Sequence, residues 1–178
     1  LRLAGQTGRT VRAALRVTPA VAPKTHAYTA TGKQETKFGV DLVRARQVFQ
    51  RYGREEHVRM SALHLHIGSP VNTVEPYVEA ITKTLAVIGQ LRADGFAIDT
   101  LDIGGGFGAD YETGQAPSPS DYAARIVPLL RDAGLSIVLE PGRTISANSA
   151  ILLARVLYTK QSGTRRYAIV DAAMTELI

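Results

Sequence analysis

Three short stretches hold the residue types that chemistry needs. In Leu101-Asp102-Ile103-Gly104-Gly105-Gly106-Phe107-Gly108 an apolar run breaks into consecutive glycines. Glycine has no Cβ, so another molecule can approach its amides closely. Successive N–H groups in such a loop can wrap an anion; a plain turn between strand and helix uses the same residues. His64-Leu65-His66-Ile67-Gly68-Ser69 offers imidazole rings, backbone donors and a hydroxyl. Glu140-Pro141-Gly142-Arg143 offers a carboxylate and a fixed cation suited to a phosphate or carboxylate. Each has an ordinary reading too. A histidine at a strand end is often a satisfied polar residue, and Glu140 and Arg143 could pair across their own turn. His64 and His66 point to one face of a strand, but the sequence shows no third ligand, so no metal site is expected. The order and spacing of the three stretches taken jointly favour a site.

The elements that must position them follow from periodicity. Residues 11–17 alternate loosely and read as a strand, and 20–37 have no period and read as a long loop. Residues 42–52 carry apolar positions at helical spacing, with Asp41 as cap and Gly53 as stop. A strand at 60–67 leads to a helix capped by Thr73 and running to residue 93. A strand at 98–103 leads, through a loop, to a helix capped by Ser120 and running to 133; a last apolar strand spans 135–139. Apolar strands alternating with helices imply an α/β fold whose parallel strands are buried on both faces. Each chemical stretch lies where one of these strands ends. A closed parallel barrel gathers all such ends on the face that carries active sites. An open doubly wound sheet also gathers strand ends, but its G-x-G-x-x-G runs straight into a helix, and here a Pro-bearing loop follows contiguous glycines. Beyond Arg143 the pattern changes to short strands without a helix between them. Residues 1–145 therefore read as barrel and 146–178 as the start of a β domain.

Composition excludes several classes. The 178 residues are 45% hydrophobic, which suits a sizeable core. The net charge is +5, yet the basic residues are spread out and not interleaved with aromatics, so no nucleic-acid partner is expected. There is no cysteine, which excludes disulfides and thiolate metal sites within this segment. No apolar run approaches the ~18 residues of a membrane span. No signal-peptide pattern is visible, and a cytoplasmic location is expected.

At this point the residues resemble a known family. The order Lys37-Phe38-Gly39, His64-x-His66-Ile67-Gly68-Ser69, Leu101-Asp102-Ile103-Gly104-Gly105-Gly106, Glu140-Pro141-Gly142-Arg143 and Val170-Asp171-Ala172-Ala173-Met174 is similar to the diaminopimelate decarboxylases. They belong to the alanine-racemase-like pyridoxal-phosphate enzymes, with the ornithine and arginine decarboxylases. The resemblance implies the second half of a (β/α)8 barrel followed by the first strands of a C-terminal β domain. It implies pyridoxal 5'-phosphate in the barrel mouth. His66 would stack on the ring; Ser69, Gly104, Gly105 and Gly106 would hold the phosphate. Glu140 would face the pyridine nitrogen, with Pro141 and Gly142 alongside, and Arg143 would lie by the phosphate and the substrate carboxylate. A carboxylate there raises the pyridinium pKa by roughly 1–3 units. The implied reaction is conversion of meso-2,6-diaminopimelate to L-lysine and CO2, by a homodimer. The alternatives are a sister decarboxylase of ornithine, arginine or carboxynorspermidine, and a non-catalytic barrel homologue. The family's cofactor-anchoring lysine is expected upstream of Leu1 and its catalytic cysteine downstream of Ile178. Lys24, Lys33 and Lys37 sit on a loop and are not taken for that lysine. The chain is thus expected to be an internal fragment, inactive alone and poorly stable at its open edge. Thr18, Pro70 and Ala173 depart from the Asn, Gln and Gly usual in the family.

Overall fold

The computed structural model describes residues 2–21, 37–111 and 116–176. The chain forms two compact units, Leu1–Ala147 and Asn148–Ile178. The first contains α1 (Arg2–Thr7), β1 (Val11–Thr18), β2 (Val40–Asp41), α2 (Leu42–Tyr52), β3 (Val58–Leu65), α3 (Glu75–Ala93), β4 (Thr100–Asp102), α4 (Pro119–Leu130), β5 (Ser136–Val138) and α5 (Gly142–Ser146). Its strands form one sheet in the order β2-β1-β3-β4-β5, and every neighbouring pair is parallel. Register places Leu15, Leu63, Leu101 and Ile137 in one row across the sheet. The next row is Arg16, His64, Asp102 and Val138.

Helical spacing explains the core. In α3 the buried residues include Tyr77, Ala80, Ile81, Thr84, Val87, Ile88 and Leu91, a single stripe facing the sheet. Complete burial of each large apolar side chain is worth roughly 1.5–3 kcal/mol. The Thr84 hydroxyl in the stripe donates to the Ala80 carbonyl at 2.8 Å, so it costs no orphan group. Phe49 of α2 meets Phe96 edge-on at 5.5 Å. Gly53 ends α2 in an ordinary right-handed conformation (φ −71°), and a Cβ there would press on the Phe96 ring.

The structure moves several expected boundaries. Residues 2–7 are helical although they show no period. Thr73 does not cap α3; the helix starts at Glu75 with Pro in its first turn, where no N–H is needed, and Val74 makes no side-chain cap. Ser118, not Ser120, caps α4. Its hydroxyl accepts the Asp121 N–H while the Asp121 carboxylate takes the Ser118 N–H at 2.8 Å. Pro119 decides this, because its fixed φ suits the first helical position. Asp41 caps α2 as expected, accepting the Arg44 N–H at 2.7 Å. Most of the loop expected at 20–37, residues 22–36, lies outside the described residues. At its end the Thr18 hydroxyl donates to the Phe38 carbonyl at 2.8 Å.

Burial of every strand on both faces does not hold. All of β5 is exposed, with Val138 at 42% and Leu139 beyond it at 53%. It is the sheet's last strand, paired only with β4. An apolar groove lined by Tyr122, Ile126, Ile137, Leu139 and Ile145 runs beside it.

The second unit is a hairpin of β6 (Val156–Ser162) and β7 (Arg165–Val170), antiparallel, with Gly163 at φ +60° in the turn. Residues 151–155 precede it. Among the described residues no helix is long and apolar enough to cross a membrane.

Candidate functional site

Parallel strands end together, so the three chemical stretches meet. The Gly104 carbonyl accepts the Glu140 N–H at 2.8 Å, and the Gly106 carbonyl accepts the Val71 N–H at 2.8 Å. The Gly105 carbonyl accepts the Tyr77 hydroxyl at 2.9 Å. On the donor side, Gly104 N–H reaches Asp102 Oδ1 at 2.8 Å and Gly105 N–H reaches His66 Nδ1 at 3.4 Å. The Gly106 N–H has no hydrogen-bond partner among the described residues. The run must be glycine because the backbone passes so close. A Cβ at Gly105 would strike the Glu140 carbonyl, and one at Gly106 the Gly68 carbonyl. Gly106 also sits at φ +89°, where side chains are strained.

Arg16, His64 and Asp102 share one row of the sheet with Val138, and Glu140 follows two residues beyond it. His64 Nε2 is buried, has no hydrogen-bond partner among the described residues and lies 3.9 Å from Glu140 Oε2. His66 is half-buried. Its pKa is held below the usual imidazole value first by burial and then by the Arg16 charge; Glu140 opposes them. Desolvation wins, so the ring favours its neutral form.

Arg143 turns away from Glu140. Its Nη1 donates to the Tyr111 hydroxyl at 2.8 Å and its Nε to Ser69 Oγ at 3.4 Å. Glu140 and Arg143 therefore do not form the local pair that the sequence left open. Gly142 N–H is taken by the Glu140 carbonyl at 2.8 Å. Pro141 begins the turn into α5 and borders the apolar groove.

The reason for expecting no metal site changes. The sequence showed no third ligand beside the histidines, yet His64, Asp102 and Glu140 bring ligand atoms within 4.8 Å of one another, and His66 is not among them. One of the two carboxylates, Asp102, already accepts the Gly104 N–H.

Sequence reasoning missed Arg16, Asp102, Tyr77 and Tyr111 as neighbours of the site. Arg16 had a signal, since a charge one residue before the end of an apolar strand faces the same end as His64. Asp102 had the same signal. Tyr77 reads as helix core, and only the fold shows its hydroxyl on the glycine run. Tyr111 follows an irregular loop and carries no periodic signal.

The donor set suits a dianionic phosphate: the Gly106 N–H, unpaired among the described residues, the Ser69 hydroxyl and the Arg143 guanidinium. A carboxylate, Glu140, and a neutral imidazole, His66, stand beside it. These groups fit a phosphorylated aromatic cofactor that carries a basic ring nitrogen.

Residues 2–147 match the family model described as "Pyridoxal-dependent decarboxylase, pyridoxal binding domain". Over 177 residues the chain is 41% identical to the diaminopimelate decarboxylase of Aquifex aeolicus, covering 99% of this chain and 42% of that protein. It is 38% identical to the one of Haemophilus influenzae, covering 99% and 43%. The structure of Helicobacter pylori diaminopimelate decarboxylase complexed with L-lysine superposes with a TM-score of 0.91 at 36% identity, covering 97% of this chain and 43% of that one. A lysine/ornithine decarboxylase from Vibrio vulnificus complexed with putrescine gives 0.73 at 27% identity, covering 90% and 40%. The parallel sheet and its helices are thus part of a TIM-type barrel. The chain spans about two fifths of the length of the curated relatives it matches.

Proposed function

This chain belongs to the pyridoxal-dependent decarboxylase family, its residues 2–147 matching the pyridoxal-binding domain, and on that premise we propose that the whole protein converts meso-2,6-diaminopimelate to L-lysine and CO2. The observation that supports this most is the meeting of Glu140, His66 and the Gly106–Ser69–Arg143 donor set at the carboxyl ends of the parallel strands. When bound, pyridoxal 5'-phosphate supplies the electron sink for the pair released as CO2 leaves the α-carbon. Glu140 would hold a proton on the ring nitrogen. His66 presents the flat face of a neutral ring. Ser69 Oγ and the Gly106 N–H would donate to the phosphate, with Gly104 and Gly105 shaping the loop around it. Arg143 adds a fixed positive charge for the phosphate and the substrate carboxylate. The same reading makes the intact protein a cytoplasmic homodimer with the barrel ending near residue 145. It also makes residues 1–178 inactive alone.

The test uses the full-length protein with pyridoxal 5'-phosphate and meso-diaminopimelate, measuring CO2 and L-lysine together. Stoichiometric release supports the reading. Glu140→Ala is expected to slow CO2 release about 10²–10³-fold, the scale of losing one preorganised electrostatic partner. No release from diaminopimelate, but release from ornithine, arginine or carboxynorspermidine, would move the protein to a sister activity. Failure to bind the cofactor would overturn the reading.

A further inference from the structure

Tyr77 is a buried titratable group that the reading above leaves without a role. It lies near the start of α3 and is fully buried. Its ring stacks on Phe107 at 4.7 Å and meets Tyr122 edge-on at 5.6 Å. Burial raises its pKa well above the usual phenol value, so the hydroxyl stays protonated and acts as a donor. That donor reaches the Gly105 carbonyl at 2.9 Å.

The peptide unit explains why this matters. In a planar trans peptide, the carbonyl of one residue and the N–H of the next point in opposite directions. The Gly105 carbonyl and the Gly106 N–H share one such unit. Glycine on both sides lets the unit take either orientation at little steric cost. The Tyr77 hydroxyl selects one of them. With the Gly105 carbonyl drawn into the aromatic cluster, the Gly106 N–H faces away from it and has no partner among the described residues. In the opposite orientation the carbonyl would face outward, the N–H would point into the aromatic cluster, and the buried Tyr77 O–H would lose its acceptor.

We propose that Tyr77 is a positioning residue for phosphate recognition: its hydroxyl holds the Gly105 carbonyl and thereby aims the Gly106 N–H at the phosphate of the ligand. The proposal rests on the cofactor reading above and adds to it a residue that touches neither substrate nor cofactor. It predicts that loss of the hydroxyl weakens recognition of the phosphate group alone.

The test compares full-length wild-type protein with Tyr77→Phe, which keeps the ring and its stacking. Dissociation constants are measured on cofactor-free protein for pyridoxal 5'-phosphate and for pyridoxal, which lacks the phosphate. Tyr77→Phe is expected to weaken pyridoxal 5'-phosphate binding about 3- to 10-fold and to leave pyridoxal binding unchanged. The phosphorus NMR signal of bound cofactor should shift in the variant. Equal loss for both ligands would show a merely structural role and overturn the proposal, as would no loss for either. If Tyr77→Phe folds poorly, fluorotyrosine at position 77 keeps the ring and strengthens the donor. The phosphate-to-no-phosphate affinity ratio should then rise, and an unchanged ratio overturns the proposal. The premise fails separately: wild-type protein that binds pyridoxal 5'-phosphate no better than pyridoxal removes the cofactor reading itself.

Discussion

His66 illustrates how one residue's surroundings set its charge. Burial and Arg16 lower its pKa from the usual 6.5, and Glu140 only partly offsets them. The folded protein therefore binds this proton less readily than the unfolded chain. The stability that follows is present above about pH 6.5 and is lost as pH falls below that value through the folded-state pKa. Urea unfolding between pH 7 and pH 5 should show a flatter loss of stability in His66→Gln than in wild type; parallel slopes would refute the assignment. Asp94, Asp99 and Asp121, whose pKa values lie below the usual 3.8, act at lower pH and do not confuse this window. The glycines separate in the same way. Gly105→Ala forces a Cβ into the Glu140 carbonyl, whereas a Cβ at Gly142 meets open space. The first should cost about 1–3 kcal/mol and the second close to nothing, read from denaturant midpoints.

At the scale of elements, α4 depends on a reciprocal cap between Ser118 and Asp121. Ser118→Ala should destabilise the fold by about 1 kcal/mol, measured by chemical denaturation, while Ser120→Ala should change little. The same helix shows how far the sequence can be read. The spacing of Tyr122 and Ile126 reveals a helix, but two serines precede them and only the conformation at Pro119 decides between them. Strand positions were legible because apolar runs end at Gly, Pro and Glu. The meeting of the three chemical stretches was legible for the same reason, since parallel strands put their ends side by side. What lay beyond reach was contact across elements. Nothing in Tyr77's spacing separates a core phenol from one bonded to a glycine carbonyl. Nor does the sequence reveal that Arg143 turns to Tyr111 and Ser69 and leaves Glu140 to His64.

At the scale of the whole molecule, β5 leaves a strand edge and an apolar face uncovered. Exposed edges invite pairing with other chains. Residues 1–178 expressed alone should bind a hydrophobic dye and self-associate in sedimentation experiments, and Val138→Lys should reduce the association. A monodisperse monomer without dye binding would contradict this. The glycine run has a further thermodynamic consequence. Its carbonyls are tied to Glu140 after β5, to Tyr77 of α3 and to Val71 after β3. The loop therefore has its shape only when parts of three strand–helix units are aligned. A ligand that binds this loop binds the aligned state and not the disordered one, so its binding energy is shared with the folding of all three. At a hundredfold excess over its dissociation constant such a ligand adds about 2.7 kcal/mol. The protein's melting temperature would then report the concentration of its own ligand.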